Sequence, residues 1–217
     1  NVVSIMTPPG SHQIIAETFI DRDINIISDK PFAGNLDQAK KLYKKIKYNK
    51  KIKYALTHNY SAYPMVREAK VLVEKGKIGK VEYVNVEYIQ DWSGGKKLNS
   101  KNAKKKLKWK IDNKIVGASA VLNEIGTHAY HLASYISGLR GKTIFADIKK
   151  PPVGYPMEAD AVVALRPHSH FGLPPCTAAG WRGVSPLLMS RQCYSNNRVC
   201  QHNCQSLYTS DLLIFVF

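Results

Sequence analysis

An α/β fold in two parts is predicted for the first 165 residues, and two patterns predict it. Three short apolar runs, 2–6, 24–28 and 54–57, alternate with two amphipathic segments, as in a doubly wound parallel sheet with helices on its faces. A longer run, 81–90, then places Val84, Val86 and Tyr88 on one side and Asn85 and Glu87 on the other. That alternation suits a sheet with one buried and one wetter face, in an α+β unit. The expected divisions are 1–58 for the parallel unit, 59–165 for the α+β unit and 166–217 for a tail.

The elements follow from local signals. Run 2–6 ends at the turn Thr7-Pro8-Pro9-Gly10. Ser11 is placed to cap a helix to about Arg22 with Ile14, Ile15, Thr18 and Phe19 as its apolar face. Asn35 with Gln38 resembles a capping box opening a helix that turns Leu36, Ala39, Leu42, Tyr43 and Ile46 inward. Pro64 starts a helix with Val66, Ala69, Leu72 and Val73 apolar, and Gly76 fits its stop. Residues 93–108 form a lysine-rich loop. Residues 120–137 form a helix ending near Gly138, and 143–149 and 161–165 are further strands.

Composition changes sharply along the chain of 217 residues. All the lysines precede residue 151, all four cysteines (Cys176, Cys193, Cys200, Cys204) follow 165, and the only acid after 165 is Asp211. The net charge is +16. Residues 166–217 are therefore read as a tail unrelated to the preceding fold and poorly ordered, of the kind a shifted reading frame would produce. A genuine divergent extension is the alternative. The tail's Cys193, Cys200, His202 and Cys204 contain no C-x₂-C pair and match no common zinc module, so no metal site is expected. The absence of cysteine from residues 1–165 argues against a disulfide framework. No signal-peptide pattern opens the chain. The longest apolar run, 212–217, is far shorter than the roughly 20 residues that span a bilayer. A cytoplasmic protein with no membrane partner is the expectation.

Two clusters carry chemistry. Glu124 and His128 stand at i and i+4 in one predicted helix, where a carboxylate can fix an imidazole's tautomer and raise its basicity. Far upstream, Asp29-Lys30-Pro31 places a lysine where a buried strand ends. Lysine, carboxylate and histidine are the groups with which an alcohol can be held and deprotonated. A surface i,i+4 pair and a solvated lysine are the plain alternatives. His131 is read as packing or facing solvent, and Trp109 as an anchoring aromatic. The lysines of 40–53 lie on the polar side of an amphipathic helix, an ordinary solvated face. With no aromatic RNA-binding pattern and no zinc-finger spacing, a nucleic-acid partner ranks last.

The order of the motifs resembles the Gfo/Idh/MocA (glucose–fructose oxidoreductase/inositol dehydrogenase) family. The stretches that carry the likeness are Ile5-Met6-Thr7-Pro8 to His12, Asp29-Lys30-Pro31, and His58-Asn59-Tyr60 to Pro64-Met65-Val66-Arg67. Gly76-Lys77-Ile78-Gly79-Lys80-Val81 and Glu124-Ile125-Gly126-Thr127-His128 complete it. The resemblance implies a Rossmann domain followed by an α+β domain with an open, mainly antiparallel sheet. It also implies NAD or NADP redox chemistry on a sugar, polyol or related alcohol, and homo-oligomers packed through the sheet.

Residue by residue, the resemblance places Lys30 at the reacting hydroxyl and near the nicotinamide. It makes His128 the acceptor of the hydroxyl proton. Glu124 stands at the family's usual aspartate, which orients substrate or histidine. Thr7 and Pro8 match the turn beside the nicotinamide ribose. Asn59 and Tyr60 are candidates to line the substrate cleft, with core packing or loop bonding the equal alternative. Two residues depart from the pattern: Asp29 for the usual glutamate, and Glu124 for aspartate. No G-x-G-x-x-G occurs, so the chain is expected to begin within the fold, downstream of the pyrophosphate turn. NAD or NADP binding by this chain is correspondingly expected to be weak, with activity impaired. A non-catalytic remnant or binding protein that keeps the substrate domain is the alternative.

Overall fold

The structure, a computed structural model, describes residues 1–81, 83–90, 110, 112–149, 157, 158 and 160–167, with the backbone of 187–189, 207–209 and 212–216. The lysine-rich loop 93–108, Trp109, the four cysteines and most of the expected tail lie outside the described residues.

Strands β1 (Val2–Ile5), β2 (Asn25–Ser28) and β3 (Tyr54–Leu56) form a parallel sheet in that order, with Ile5 opposite Ser28 and Ser28 opposite Leu56. Helices α1 (Pro9–Ile20) and α2 (Leu36–Tyr48) connect them and close a core of Ile5, Ala16, Ile20, Ile26, Leu42 and Ile52. The parallel unit is thus as the alternating runs predict, but both helices correct details.

Helix α1 starts two residues before Ser11, with Pro9 in its first turn, and no side chain caps it. The Ser11 hydroxyl instead donates to the Pro8 carbonyl at 2.8 Å. The buried stripe of α1 is His12, Gln13, Ala16 and Ile20, whereas Ile14 is 65% exposed. Hydrophobicity alone misplaced this face because a polar His12 is buried in it, with both ring nitrogens bonded (below). In α2, the Asn35 carboxamide accepts from the Gln38 N–H at 2.9 Å. Gln38 reaches back to the Gly34 N–H at 3.0 Å rather than to Asn35. Leu42 is fully buried, but Leu36 and Tyr43 face solvent. Three lysines of the 40–53 stretch pair with acids of the first unit: Lys41 with Glu17, Lys45 with Asp21 and Lys51 with Asp23.

The second unit opens with a 3₁₀ turn (Asn59–Ala62) and α3 (Pro64–Glu74). Gly76 ends α3 at φ 65°, donating to Val73, while Lys77 donates to Leu72. This paired closure needs a left-handed residue after the helix. Leu72, predicted inward, is exposed. Strand β4 (Val84–Tyr88) is shorter than the predicted run but keeps its alternation, with Val84, Val86 and Tyr88 buried. After the short α4 (Asn113–Val116) come a π-helical turn (Leu122–Gly126) and α5 (Thr127–Ser137), closed by Gly138 in the left-handed region.

Strands β5 (Gly141–Lys149) and β6 (Asp160–Pro167) pair antiparallel, with Ile144 opposite Leu165. Within residues 166–217 the described backbone adds β7 (Leu187–Met189), β8 (Leu207–Thr209) and β9 (Leu212–Val216). The sheet order is β5-β6-β7-β4-β9-β8, and every pairing except β4 with β7 is antiparallel. Its core joins Val84, Val86, Tyr88, Ile125, Leu132, Ile136 and Val163.

The two units meet at two glycines. The Gly34 carbonyl accepts from the Ala118 N–H at 2.8 Å and from the Asn123 carboxamide at 3.3 Å. Gly117, at φ 93°, packs its Cα against Gly34, and a Cβ there would overlap the Gly34 backbone. Gly76 shares the positive φ but has open space around it. Gly76→Ala should therefore cost only the backbone strain, about 1–2 kcal/mol. Gly117→Ala adds a backbone collision and should cost at least about 3 kcal/mol. Urea denaturation midpoints test the ranking, and equal losses would refute the close approach.

Candidate functional site

The candidate side chains come from the ends of the parallel strands, the 3₁₀ turn and the π turn with the helix after it. In open α/β sheets, ligands gather beyond the carboxyl ends of the parallel strands. The junctions there are Thr7-Pro8-Pro9 after β1, Asp29-Lys30-Pro31 after β2, and Thr57-His58 after β3. Asp29 ties two of them together: its Oδ1 accepts from the Lys30 N–H at 2.9 Å and from the Thr57 hydroxyl at 2.8 Å. The Lys30–Pro31 peptide is cis.

Lys30 crosses to the second unit. Its Nζ donates to the main-chain carbonyl of Glu124 at 2.7 Å and lies 3.5 Å from Oε2 of the same residue, with the side chain 15% exposed. Lys110, from the end of the lysine-rich segment, donates to Glu124 Oε1 at 3.1 Å. Burial pushes the Glu124 carboxyl up, but the charges and hydrogen bonds of Lys30 and Lys110 outweigh it and leave the group below the ordinary glutamate value. Glu124 is thus an ionised carboxylate between two ammonium groups.

The expected Glu124–His128 partnership takes a different form. The helix predicted as continuous carries a π turn, in which Thr127 donates to Leu122. The Glu124 carboxylate is taken by Lys30 and Lys110 instead of the imidazole. His128 Nδ1 is buried without a hydrogen-bond partner. Its basicity is lowered rather than raised. Burial pushes His128 down to about 4, the charges of Lys30 and His58 push the same way, and Asp29 and Glu124 oppose them only in part. The imidazole is neutral at neutral pH.

Around it lies a ring cluster. Tyr60 meets His128 edge-on at 4.7 Å, and its hydroxyl is 2.6 Å from that of Tyr88. His58 lies 6.1 Å from His128 and stacks on His131 at 3.9 Å with the planes nearly parallel. Burial, then the charges of His131 and Lys30, bring His58 down to about 4 as well. Burial also lowers His131. Of the two readings of His131, packing or facing solvent, the stack on His58 is packing. Asn59 is exposed in the 3₁₀ turn beside this cluster, and Thr7 and Pro8 are exposed at the β1–α1 junction.

The structure therefore brings Lys30, Glu124 and His128 together, with Tyr60 against the histidine and Thr7 and Pro8 at a neighbouring strand end. Sequence reasoning missed His58, Lys110 and Glu158. His58 stands two residues past a parallel strand, as Lys30 does, and that position was a readable signal. Glu158 had none. Its Oε1 accepts from the Val121 N–H at 2.9 Å and from the Ser119 hydroxyl, while Ser119 Oγ accepts from the Leu122 N–H at 2.9 Å. Together they cap the segment that carries Glu124 and His128.

The donor set bears on a nicotinamide cofactor. A hydroxyl (Thr7), an ammonium (Lys30) and a proline (Pro8) stand at adjacent strand ends, a set compatible in its chemistry with a ribose hydroxyl. The described junctions hold no glycine-rich turn for a pyrophosphate. Among the described residues, no group of three or more His, Cys, Asp or Glu side chains could hold a metal ion. No described helix is long and apolar enough to cross a membrane.

Two family models match the chain: the oxidoreductase family NAD-binding Rossmann fold of GFO/IDH/MocA over residues 1–58, and the GFO/IDH/MocA C-terminal domain over residues 66–171. Levoglucosan dehydrogenase of Pseudarthrobacter phenanthrenivorans is 33% identical over 138 residues, 64% of this chain and 33% of that protein. A crystal structure of an oxidoreductase from Sinorhizobium meliloti aligns with a TM-score of 0.64 at 31% identity, covering 88% of this chain and 44% of the other. A levoglucosan dehydrogenase structure in complex with NADH and levoglucosan aligns with a TM-score of 0.70 at 24% identity, covering 88% and 47%. At that identity it shows the fold. The chain spans a third to a half of the length of these relatives.

The histidine cluster predicts how stability depends on pH. In the unfolded chain each imidazole binds its proton near 6.5, whereas folded His58 and His128 bind theirs near 4. The unfolded state therefore holds more protons between these values. The cluster's stabilising contribution is complete above pH 6.5 and is lost as pH falls toward 4. Thermal midpoints should drop over that window, and His58→Phe should flatten the drop. An unchanged slope in His58→Phe would show that the cluster does not cause it.

Proposed function

This chain belongs to the Gfo/Idh/MocA family of oxidoreductases, and from that premise we propose that its site serves hydride transfer between NAD or NADP and a secondary alcohol of a sugar or polyol. The observation that carries the reading is the 2.7 Å bond from Lys30 to Glu124, which unites residues 94 positions apart. The likeness to levoglucosan dehydrogenase, at 33% identity, supports a sugar-like substrate.

In this reading Thr7, Pro8 and Lys30 hold the nicotinamide end of the cofactor, which when bound exchanges a hydride with the alcohol carbon. The chain's own residues handle the oxygen. The Lys30 ammonium stabilises negative charge developing on it. His128, neutral and buried, takes the hydroxyl proton. A base with so low a proton affinity is a weak acceptor, so the reaction depends on Lys30 making the hydroxyl more acidic. Glu124 offsets part of the Lys30 charge and, with Asn59 and Tyr60, borders the substrate. Tyr60, set edge-on against His128, keeps the imidazole plane in place.

A second copy of the chain is the partner this reading assigns to the open sheet. Edge strand β5 is exposed along its whole length, with Ile144 and Phe145 each at 70%. An uncovered apolar edge of this kind invites pairing. A cytoplasmic location fits the lack of cysteine in residues 1–165. The alternative is a binding protein without turnover.

Cofactor titration separates the two: quenching of nicotinamide fluorescence at millimolar NADH or NADPH is expected, and none with either would overturn the enzyme reading for this chain. Where turnover is measurable, Lys30→Met and His128→Asn should each lower kcat about 10²–10⁴-fold, and full activity in either would remove its assigned role. Light scattering should give a mass above one chain that Phe145→Lys reduces. A monomeric wild-type protein would refute the self-association.

A further inference from the structure

His12 is fully buried in the first turns of α1, and both its ring nitrogens are engaged. Nδ1 lies 2.8 Å from the Pro31 carbonyl oxygen and Nε2 lies 2.6 Å from the Thr7 carbonyl oxygen. A carbonyl oxygen only accepts, so whichever ring nitrogen carries the hydrogen donates to one of the two. The imidazole fills the gap between both carbonyls.

The two carbonyls are not arbitrary. Thr7 belongs to the junction after β1, and Pro31 directly follows Lys30 in the junction after β2. These strands are adjacent in the sheet. We propose that His12 is a positioning residue: seated between the two carbonyls, it clamps the Thr7 junction to the Lys30–Pro31 junction and sets the spacing between the two. This inference rests on the proposed function for the roles of Thr7 and Lys30, while the clamp itself is a property of the chain without cofactor or substrate. Its reach extends to Glu124, since the Lys30 side chain held by this backbone is the one that bonds the second unit.

Two measurements on the full chain test it, and neither requires turnover. Nitrogen-15 NMR of the wild-type protein should show a His12 ring N–H that exchanges slowly with water. A ring N–H that exchanges as fast as that of an exposed histidine overturns the clamp. In His12→Gln, whose carboxamide has a single donor nitrogen, the Lys30 ammonium resonance should shift and its protons exchange with water at least about tenfold faster. Ile20→Val, which loosens the core of the same helix without touching either carbonyl, should leave that resonance in place. A folded His12→Gln with an unaltered Lys30 signal, or an equal change in Ile20→Val, reduces His12 to ordinary packing. If His12→Gln does not fold, the wild-type ring signals decide. A failure of the enzyme reading would appear separately, as absent cofactor binding with the clamp intact.

Discussion

Taking the Lys30 ammonium out of water requires partners, and they come from the other end of the chain: the carbonyl and the carboxylate of Glu124. Burying a charge is costly unless it is paired and hydrogen-bonded. The pairing therefore constrains how the two units sit, beyond what their separate cores demand. It works alongside the contact of Gly34 with Gly117, where the absence of side chains lets two backbones touch. One contact is electrostatic and the other steric, and both bear on the loop and helix that deliver Glu124 and His128.

The same ammonium shapes the chemistry around it. Its field, added to burial, helps keep His128 and His58 neutral and Glu124 ionised. A cluster of three histidines would repel itself if protonated, and stacking His58 on His131 is compatible with close approach because the rings are uncharged. Glu124, paired with Lys30 and Lys110, supplies charge balance to the lysines more than orientation to the histidine. The charge states in this cluster thus come from an environment assembled by several elements, and no single motif states them.

Support for the site is spread in the same way. Ser119 and Glu158 together cap the segment leading into the π turn, although 39 positions separate them. Asp29 holds Lys30 from below and Thr57 from the side. Such bonds from strand ends and caps place functional groups on rigid elements, which is what precise chemistry needs.

Much of the fold was legible in the residues. Three apolar runs with helical spacers define a parallel sheet because only a crossover can join parallel strands. Gly76 and Gly138 mark helix ends because a left-handed residue closes them. Lys30 and the Glu124–His128 segment could be singled out because each stands at a predictable element end with a recognisable motif around it. Faces were harder. Hydrophobicity pointed to Ile14, Leu36, Tyr43 and Leu72 as inward, yet all are exposed, while polar His12 is buried because two carbonyls satisfy it. The chain alone determined which secondary elements form and which residue types carry chemistry, since those depend on neighbours a few positions away. Only the tertiary structure decided that Lys30 meets Glu124, that two lysines rather than His128 take its carboxylate, and that three imidazoles stay neutral together. Burial and charge act through space, and no local spacing encodes the distance between residues 30 and 124.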